Sequence, residues 1–448
     1  MSLKKFFKNE LIKIAKSKNG PRVQELLRGM SEIVDIEAGR EFREQMTKRL
    51  SVSNLLDNNE GLVSQRKESR IQTSSDGKIK VRFLHCNAAT FNVIQTVCDC
   101  FKDDPKFDLL IVLFGNAYST MITQMEAGGY NYILDINYDM RADSPDITIT
   151  YNLEAIYPPN LNQIKNCSKF FVLLPLGIGS IWFGDRTVSR MHLDQFNADI
   201  CFIGNLCYNR LIEPVGADRI ERMFPPQFDL AFKKFSEQNE YPAGWEKLKG
   251  KKTTMLMTDH GLKMNLISDE VTFDLYFNKL INYYKEHTNE GLILRPHFAL
   301  IRELVSTYWS LDDYQSFINF CKESPNIVWD ETSDYLTGLA ISDACIVDVN
   351  CSLVYFVLAA NKPIAVPLRY DMPVEVNNPE LVEHYYTIKS NEELENFLSN
   401  VNNGIDPMKE KRQQAFDTYI ETFDGKNGQR IFDTILKRYY GHIQKNNC

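Results

Sequence analysis

The sequence has 448 residues, with 59 acidic and 51 basic side chains and a formal net charge of −8. Proteins that bind nucleic acid through their surface charge carry a basic excess, so this balance argues against nucleic acid as a partner. Hydrophobic residues make up 44% of the chain and charged residues 25%, which is typical of globular domains and excludes a largely disordered protein.

The amino-terminal segment, residues 1–78, is predicted to be a helical extension. Residues 3–16 place apolar side chains at helical spacing, and five lysines cover the remaining surface. Such a helix either lies on an anionic membrane surface or packs its apolar stripe against its own domain. The lysines interrupt any secretory leader, so we expect a cytoplasmic protein, with contact to the inner face of the cell membrane as one option.

From residue 80 onward, short apolar runs alternate with helix-like or polar segments, which favours a parallel sheet covered by helices on both faces. The runs that predict strands in the first half are residues 80–87, 108–114, 130–136, 146–152, 169–176 and 198–204.

A second series of the same kind follows. Its predicted strands are 253–258, 290–297, 326–329, 344–349 and 363–368, and its predicted helices are 274–287, 299–308, 335–341 and 352–360. Residues 407–444 are predicted to be mostly helical.

The predicted fold is therefore α/β, with two Rossmann-like doubly wound domains that face each other across a cleft. The predicted domain ranges are 1–78, 79–245, 246–405 and 406–448. Ligands of open α/β sheets bind outside the carboxyl ends of the strands. Neither domain has G-x-G-x-x-G after its first strand or a P-loop, so we predict no dinucleotide cofactor. The ten cysteines form no repeated C-x-x-C pair, and we predict reduced thiols and no metal site.

Arg295-Pro296-His297 ends the strand predicted at 290–297. Arginine binds phosphate with two parallel hydrogen bonds, and histidine can donate to a phosphate oxygen. The sequence therefore predicts a phosphate-binding strand end. The alternative is structural: the arginine pairs with a carboxylate and the histidine caps the next helix.

A second candidate site follows the strand predicted at 344–349. Cys351-Ser352 forms a small polar turn that opens the next predicted helix. Backbone N–H groups at a helix start bind anions, with the Ser352 hydroxyl as a further donor. The alternative is an ordinary helix cap.

Together these residues resemble the CDP-glycerol glycerophosphotransferase family, the teichoic-acid polymerase type. The likeness spans about residues 80–440 and is specific only over 290–370. The matching residues are Arg295-Pro296-His297, Asp334-Tyr335-Leu336, residues 339–343, Asp348, Cys351-Ser352 and Asn361-Lys362-Pro363, with Phe224–Asp229 resembling the end of the family's first domain.

The resemblance implies a GT-B fold and transfer of a polyol phosphate from a CDP-activated donor to a hydroxyl acceptor. It implies that Arg295, His297 and the turn at Cys351-Ser352 hold the donor diphosphate, with the Asp334 loop near the nucleotide. The family's Asp-Tyr-Ser-Ser turn corresponds to Asp348, Val349, Asn350, Cys351 and Ser352, one residue longer and with cysteine for one serine.

The first domain departs from the family at its proposed catalytic histidine, which is Leu176 here and cannot take a proton. His85, at the end of the first strand, is our candidate base, unless it is only a structural strand-end residue. Asp185, beside Arg186, is a second candidate base. His260, after the first strand of the second domain, is predicted to contact phosphate.

The leading hypothesis is a transferase that moves glycerol phosphate or ribitol phosphate in the synthesis of a surface polysaccharide or teichoic-acid-like polymer. Its partners are a nucleotide-diphosphate donor and a glycan- or lipid-linked acceptor. A GT-B glycosyltransferase using a nucleotide-sugar is the alternative, followed by a sugar-nucleotide epimerase. A catalytically silent nucleotide- or glycan-binding homologue is the alternative of another class.

Overall fold

The computed structural model describes most of the chain from residue 69 onward. The described residues are 69–70, 77–86, 88–114, 118–151, 164–174, 198–203, 218–237, 240–259, 272–297, 300–301, 304–305, 309–330, 332, 334–348, 351, 353–368 and 383–446. Several predictions fall outside them, namely those for residues 3–16, Leu176, Asp185, Arg186, His260, Asn350 and Ser352.

The first domain is built on an eight-stranded sheet with the order β1-β4-β3-β2-β5-β6-β7-β8. Its strands are β1 Ser69–Arg70, β2 Ile79–His85, β3 Phe107–Leu113, β4 Tyr132–Leu134, β5 Ile147–Thr150, β6 Phe170–Leu173, β7 Ile200–Ile203 and β8 Ile220–Arg222. All neighbours are parallel except β1, which pairs antiparallel with β4. The sequence did not predict β1 and β8, because two or three residues of mixed polarity make no apolar run.

The second domain is built on a six-stranded parallel sheet with the order β11-β10-β9-β12-β13-β14. Its strands are β9 Thr253–Met257, β10 Gly291–Arg295, β11 Ile327–Trp329, β12 Ala344–Val347, β13 Ile364–Pro367 and β14 Tyr386–Ile388. Every residue of β9 and β12 is buried, which explains their continuous apolar runs.

Helices connect the strands and cover the sheets. In the first domain and its connection to the second they are α1 Gln95–Asp103, α2 Tyr118–Gly128, α3 Met140–Asp143 and α4 Gln227–Ser236, with 3₁₀ helices at Ala88–Val93, Asp135–Asn137 and Glu246–Leu248. The later helices are α5 Phe273–Glu286, α6 Leu311–Glu323, α7 Tyr335–Ile341, α8 Val354–Ala359, α9 Asn391–Asn402, α10 Lys409–Tyr419 and α11 Asn427–Asn446. Helix α8 is shorter at both ends than the predicted helix 352–360.

Both sheets bury apolar side chains on both faces, which confirms two doubly wound domains. Two helices join these cores. On α4, Phe228 stacks on Phe356 of α8 in the second domain at a centroid distance of 4.3 Å. The last helix, α11, returns to the first domain, where Phe432 packs edge-on against Phe101. In the part of the chain that the structure describes, no helix is both long and apolar enough to cross a membrane.

Candidate functional site

Each sheet has one place where the strand order reverses direction. In the first sheet the chain moves outward from β2 through β3 and β4, then restarts on the other side of β2 with β5. In the second sheet it moves from β9 through β10 and β11, then restarts with β12. Ligands of open α/β sheets bind at the carboxyl ends of the strands at such switch points. The candidate site therefore comprises the ends of β2 and β5 and the ends of β9, β10 and β12.

His85 is the last residue of β2, and Tyr151 directly follows β5, so both lie at the first switch point. The Tyr151 hydroxyl is 2.9 Å from His85 Nδ1 and 2.7 Å from the Thr90 hydroxyl. The imidazole is 0% exposed and packs edge-on against Phe91. Because burial disfavours the charged ring, it lowers the pKa of His85 to about 3. The imidazole is therefore neutral at pH 7.

Three polar atoms at the switch points are buried and have no hydrogen-bond partner among the described residues. They are His85 Nε2 and the Thr150 hydroxyl in the first domain, and the hydroxyl of Thr258, which follows β9 in the second. Burying a polar group without a partner costs about 1–3 kcal/mol. Such atoms commonly mark positions where a ligand or water completes the hydrogen bonding.

Arg295 ends β10, as the sequence predicted, and its guanidinium forms hydrogen bonds to other residues of the second domain. Its Nη1 donates to Asp330 Oδ2 at 2.5 Å, and its Nη2 donates to the Thr332 carbonyl oxygen at 2.7 Å. The guanidinium also lies over the Tyr335 ring, 5.7 Å from its centroid. Arginine has five N–H donors, so the ion pair does not exhaust its capacity to bind an anion. The structure therefore shows the alternative named from the sequence, in which Arg295 pairs with a carboxylate.

His297 lies two residues beyond β10 and is half-buried. Its carbonyl oxygen accepts hydrogen bonds from the N–H groups of Leu300 at 2.9 Å and Ile301 at 3.4 Å. His297 thus lies at the start of the following helical turn. This agrees with the alternative named from the sequence, in which the histidine caps the next helix. Phosphate contact by its side chain stays a prediction.

Asp348 directly follows β12 and joins the two ends of the segment between β9 and α5. Its carboxylate accepts hydrogen bonds from the backbone N–H groups of Asp259 at 2.8 Å and Thr272 at 3.1 Å, and from the Thr272 hydroxyl. The residue is 2% exposed, and burial raises the pKa of its carboxyl to about 6. Asp348 therefore organises the switch point through backbone contacts.

This raised pKa predicts a pH dependence of stability. Between the unfolded value of 3.8 and about 6, the folded protein holds a proton on Asp348 that the unfolded chain has lost. The group's contribution is therefore most favourable at low pH and decreases as pH rises through 6. We expect the difference in free energy of unfolding between wild type and Asp348→Asn to shift by about 2 kcal/mol between pH 4.5 and 7.5. Urea titrations at both pH values measure it, and equal differences would contradict the assignment.

Cys351 is buried, and its backbone forms a closed turn. Its N–H donates to the Asp348 carbonyl oxygen at 2.9 Å, and its own carbonyl oxygen accepts from the N–H of Val354 at 3.1 Å. These two N–H groups are used within the turn, so an anion would have to replace existing bonds. Helix α8 begins only at Val354, after the predicted start, and has six residues.

Asp334 is the N-cap of α7, and its side chain is 52% exposed. It accepts hydrogen bonds from the N–H groups of Leu336 at 3.0 Å and Thr337 at 3.2 Å. Lys234 of α4 lies 4.0 Å from the same carboxylate. The predicted position near a nucleotide stays a prediction, while the capping role is direct.

Three contacts of this region were not predicted from the sequence. Asp330 binds Arg295, Tyr335 underlies the same guanidinium, and Asn92 of the first domain lies near the Tyr335 hydroxyl. The sequence places Asp330 directly after the predicted strand 326–329, but its pairing with Arg295 depends on the two strands being neighbours in the sheet.

The chain is similar to known proteins in structure and not in sequence. No family model matches the sequence, and no curated protein matches it. Among solved structures, S. aureus MnaA in complex with UDP aligns at a TM-score of 0.55 and 13% identity, over 81% of this chain and 96% of that chain.

Two further structures are UDP-GlcNAc 2-epimerases. The one from Methanocaldococcus jannaschii, in complex with UDP-GlcNAc and UDP, has a TM-score of 0.51 and 13% identity over 80% of this chain and all (100%) of that chain. The one from Neisseria meningitidis, bound to UDP-GlcNAc, has a TM-score of 0.50 and 10% identity with the same coverage, 80% and 100%. These similarities confirm the GT-B fold, with its two Rossmann-like domains.

Proposed function

We propose that this protein is an enzyme whose donor substrate is activated by a nucleoside diphosphate, and that the second domain binds the diphosphate. The observation that carries the proposal is the meeting of the ends of β9, β10 and β12 at one switch point. There Arg295, the last residue of β10, pairs in register with Met257, the last residue of β9. The next residue, Thr258, has a buried hydroxyl without a hydrogen-bond partner among the described residues. A diphosphate oxygen would satisfy that hydroxyl and take the remaining arginine donors.

The structural neighbours in complex with UDP or UDP-GlcNAc have the same fold, which supports a nucleotide-bearing substrate. Catalysis at such a site depends chiefly on positive charge and hydrogen-bond donors fixed where the leaving phosphate becomes more negative. Arg295 provides that charge in the proposal, and Asp330 holds the guanidinium in position. His297, Asp334 and the turn at Cys351 are secondary candidates for the nucleotide.

The specific reaction we propose is transfer of a polyol phosphate from a CDP-activated donor. The support is the resemblance of residues 290–370 to CDP-glycerol glycerophosphotransferases. In this reaction the acceptor hydroxyl forms a new bond to the outer phosphorus, and the bond to the nucleoside monophosphate breaks, which releases CMP. A glycosyltransferase acting on a nucleotide-sugar would instead release a nucleoside diphosphate. The GT-B neighbours in complex with UDP-GlcNAc favour that second candidate.

His85 is the proposed base for the acceptor hydroxyl, through Nε2. A fully buried imidazole with a pKa of about 3 is a weak base, so this role requires two changes when substrate binds. The hydroxyl must reach Nε2, and a nearby phosphate charge must raise the pKa of the ring. Asp185 remains the second candidate base, and His260 a candidate phosphate contact, in segments outside the described residues.

A product assay tests the proposal. The protein is incubated with CDP-glycerol, CDP-ribitol or a panel of nucleotide-sugars, each with a glycan-lipid primer, and the released nucleotides are separated by anion-exchange chromatography. We expect CMP from a CDP-polyol. A nucleoside diphosphate released from a nucleotide-sugar would support the second candidate. If CDP or UDP binds but no donor is consumed, the enzyme proposal fails and a silent nucleotide-binding homologue takes its place.

A double variant tests Arg295, because it removes both members of the ion pair with Asp330 and so leaves no buried charge unpaired in the variant under test. We expect Arg295→Met combined with Asp330→Asn to bind CDP or UDP at least about tenfold more weakly than Asp330→Asn alone, because one charge-assisted contact to phosphate is lost. Titration calorimetry measures both affinities, and Asp330→Asn is the matched control because it retains the guanidinium. Equal affinities in the two variants would remove Arg295 from the donor site.

A further inference from the structure

A cavity of about 300 Å³ lies between the first domain and the helices that follow it. The 3₁₀ helix Ala88–Val93 and helices α1 and α2 form one side, and α4 and the start of α7 form the other. Its volume is at the lower end of the range for small-molecule sites, about 300–1,000 Å³. The cavity is large enough for a small ligand and too small for a whole nucleotide-sugar.

The side formed by the first domain presents carboxamides. Asn92, Gln95 and Gln124 line it, together with the ring of Phe91. A carboxamide offers both donors and acceptors, which suits ligand hydroxyl groups because each hydroxyl also donates and accepts. An apolar ring beside such groups matches the C–H face of a sugar or polyol.

The opposite side carries charges that balance. Lys233 and Lys234 face the cavity from α4, and Glu237 and Asp334 lie beside them. Two positive and two negative groups give the lining no net charge, so it has no excess attraction for a phosphate or a nucleotide. Charged side chains can still form strong hydrogen bonds to neutral hydroxyl groups. The lining thus favours a neutral ligand rich in hydroxyl groups.

Among the described residues, neither His85 nor Arg295 lines the cavity. Phe91 stands between it and His85, with ring centroids 5.2 Å apart. Tyr335, whose ring lies under the Arg295 guanidinium, is not among the lining residues, although its sequence neighbours Asp334 and Leu336 are. A ligand in the cavity would therefore contact neither Arg295 nor His85 directly.

We propose that this cavity is a binding site for one small neutral polyhydroxyl unit, a sugar or a polyol. The site lies beside the proposed donor site, with Asp334 at the border between the two, and it takes its walls from both domains and from α4 between them. The ligand is either a free compound or the end unit of a longer glycan, and both present the same hydroxyl chemistry to the wall.

Saturation-transfer NMR on the full-length protein tests the site. Glucose, N-acetylglucosamine and ribitol serve as free probes, chitotriose as a glycan end, and inorganic phosphate, detected by ³¹P line broadening, as the anionic comparison. We expect signals from at least one polyhydroxyl probe with the wild-type protein. Gln95→Trp fills the cavity and should abolish those signals. Gln414→Trp, at an exposed position on α10, is the matched control and should bind like wild type.

Lys233→Ala is a second test that applies even if Gln95→Trp does not fold. Lys233 is exposed, so its truncation should not disturb the fold. We expect it to weaken binding of the same probe by about tenfold, as for loss of one hydrogen bond from a charged group. A preference for chitotriose identifies a glycan end, and a preference for a monomer identifies a free ligand. The proposal is overturned if no polyhydroxyl probe binds, if phosphate alone binds, or if binding survives Gln95→Trp in a folded protein. None of these outcomes depends on nucleotide binding.

Discussion

Asp330→Ala should lower the free energy of unfolding by about 3–5 kcal/mol. Asp330 is 1% exposed and holds the guanidinium of Arg295, whose side chain is only 13% exposed. Its other carboxylate oxygen accepts hydrogen bonds from the N–H and hydroxyl of Thr332. Removing the carboxylate leaves a largely buried positive charge without its partner, which costs more than the net gain from the intact pair.

Urea denaturation followed by fluorescence measures this loss. Asp103→Ala is the control, because Asp103 is exposed at the end of α1, and its removal should change stability by no more than about 0.5 kcal/mol. A change below about 1 kcal/mol for Asp330→Ala would mean that Arg295 is well solvated without its partner.

Gly428→Ala should destabilise the junction where α1, α4 and α11 meet, by about 1–3 kcal/mol. A Cβ at this position would lie 2.5 Å from the Thr96 hydroxyl oxygen and 2.9 Å from the Thr96 backbone carbonyl carbon. Because the second contact involves backbone, a change of rotamer cannot relieve it. The helix start would also move away from Asp229, whose carboxylate accepts from the N–H groups of Asn427 at 2.8 Å and Gly428 at 2.6 Å.

The same helix contains its own control. A Cβ added at Gly441 of α11 meets no atom within 4 Å. Gly441→Ala should therefore stabilise the protein by up to about 1 kcal/mol, because alanine favours the helix more than glycine does. Calorimetric melting of both variants should show shifts of opposite sign. A gain for Gly428→Ala would contradict the close packing of α11 against α1.

The sequence predicted the fold well because buried parallel strands leave continuous apolar runs. Residues 253–258 and 290–297, for example, contain β9 and β10 nearly as observed. Helix α7 was predicted with its observed bounds, Tyr335–Ile341, directly after the polar Asp334 that caps it. By contrast, β14 has three residues of mixed exposure and leaves no such pattern.

The candidate site was predictable only in part, because its contacts depend on strand order. The position of Arg295 at a strand end follows from the local sequence. Its pairing with Asp330 requires β10 and β11 to be neighbours, and the contact of His85 with Tyr151 requires β5 to lie beside β2. Periodicity does not fix these neighbours. The late start of α8 is a similar case, since the turn at Cys351 uses backbone bonds that a pattern of apolar residues does not reveal.

A structure of the protein with bound CDP, or with UDP if calorimetry favours it, tests the central claim most directly. We predict density for both phosphates outside the ends of β9 and β10, with an oxygen within hydrogen-bond distance of the Thr258 hydroxyl and a second on Arg295. Density for the phosphates at the end of β2, or elsewhere on the surface with Thr258 and Arg295 unchanged, would contradict it.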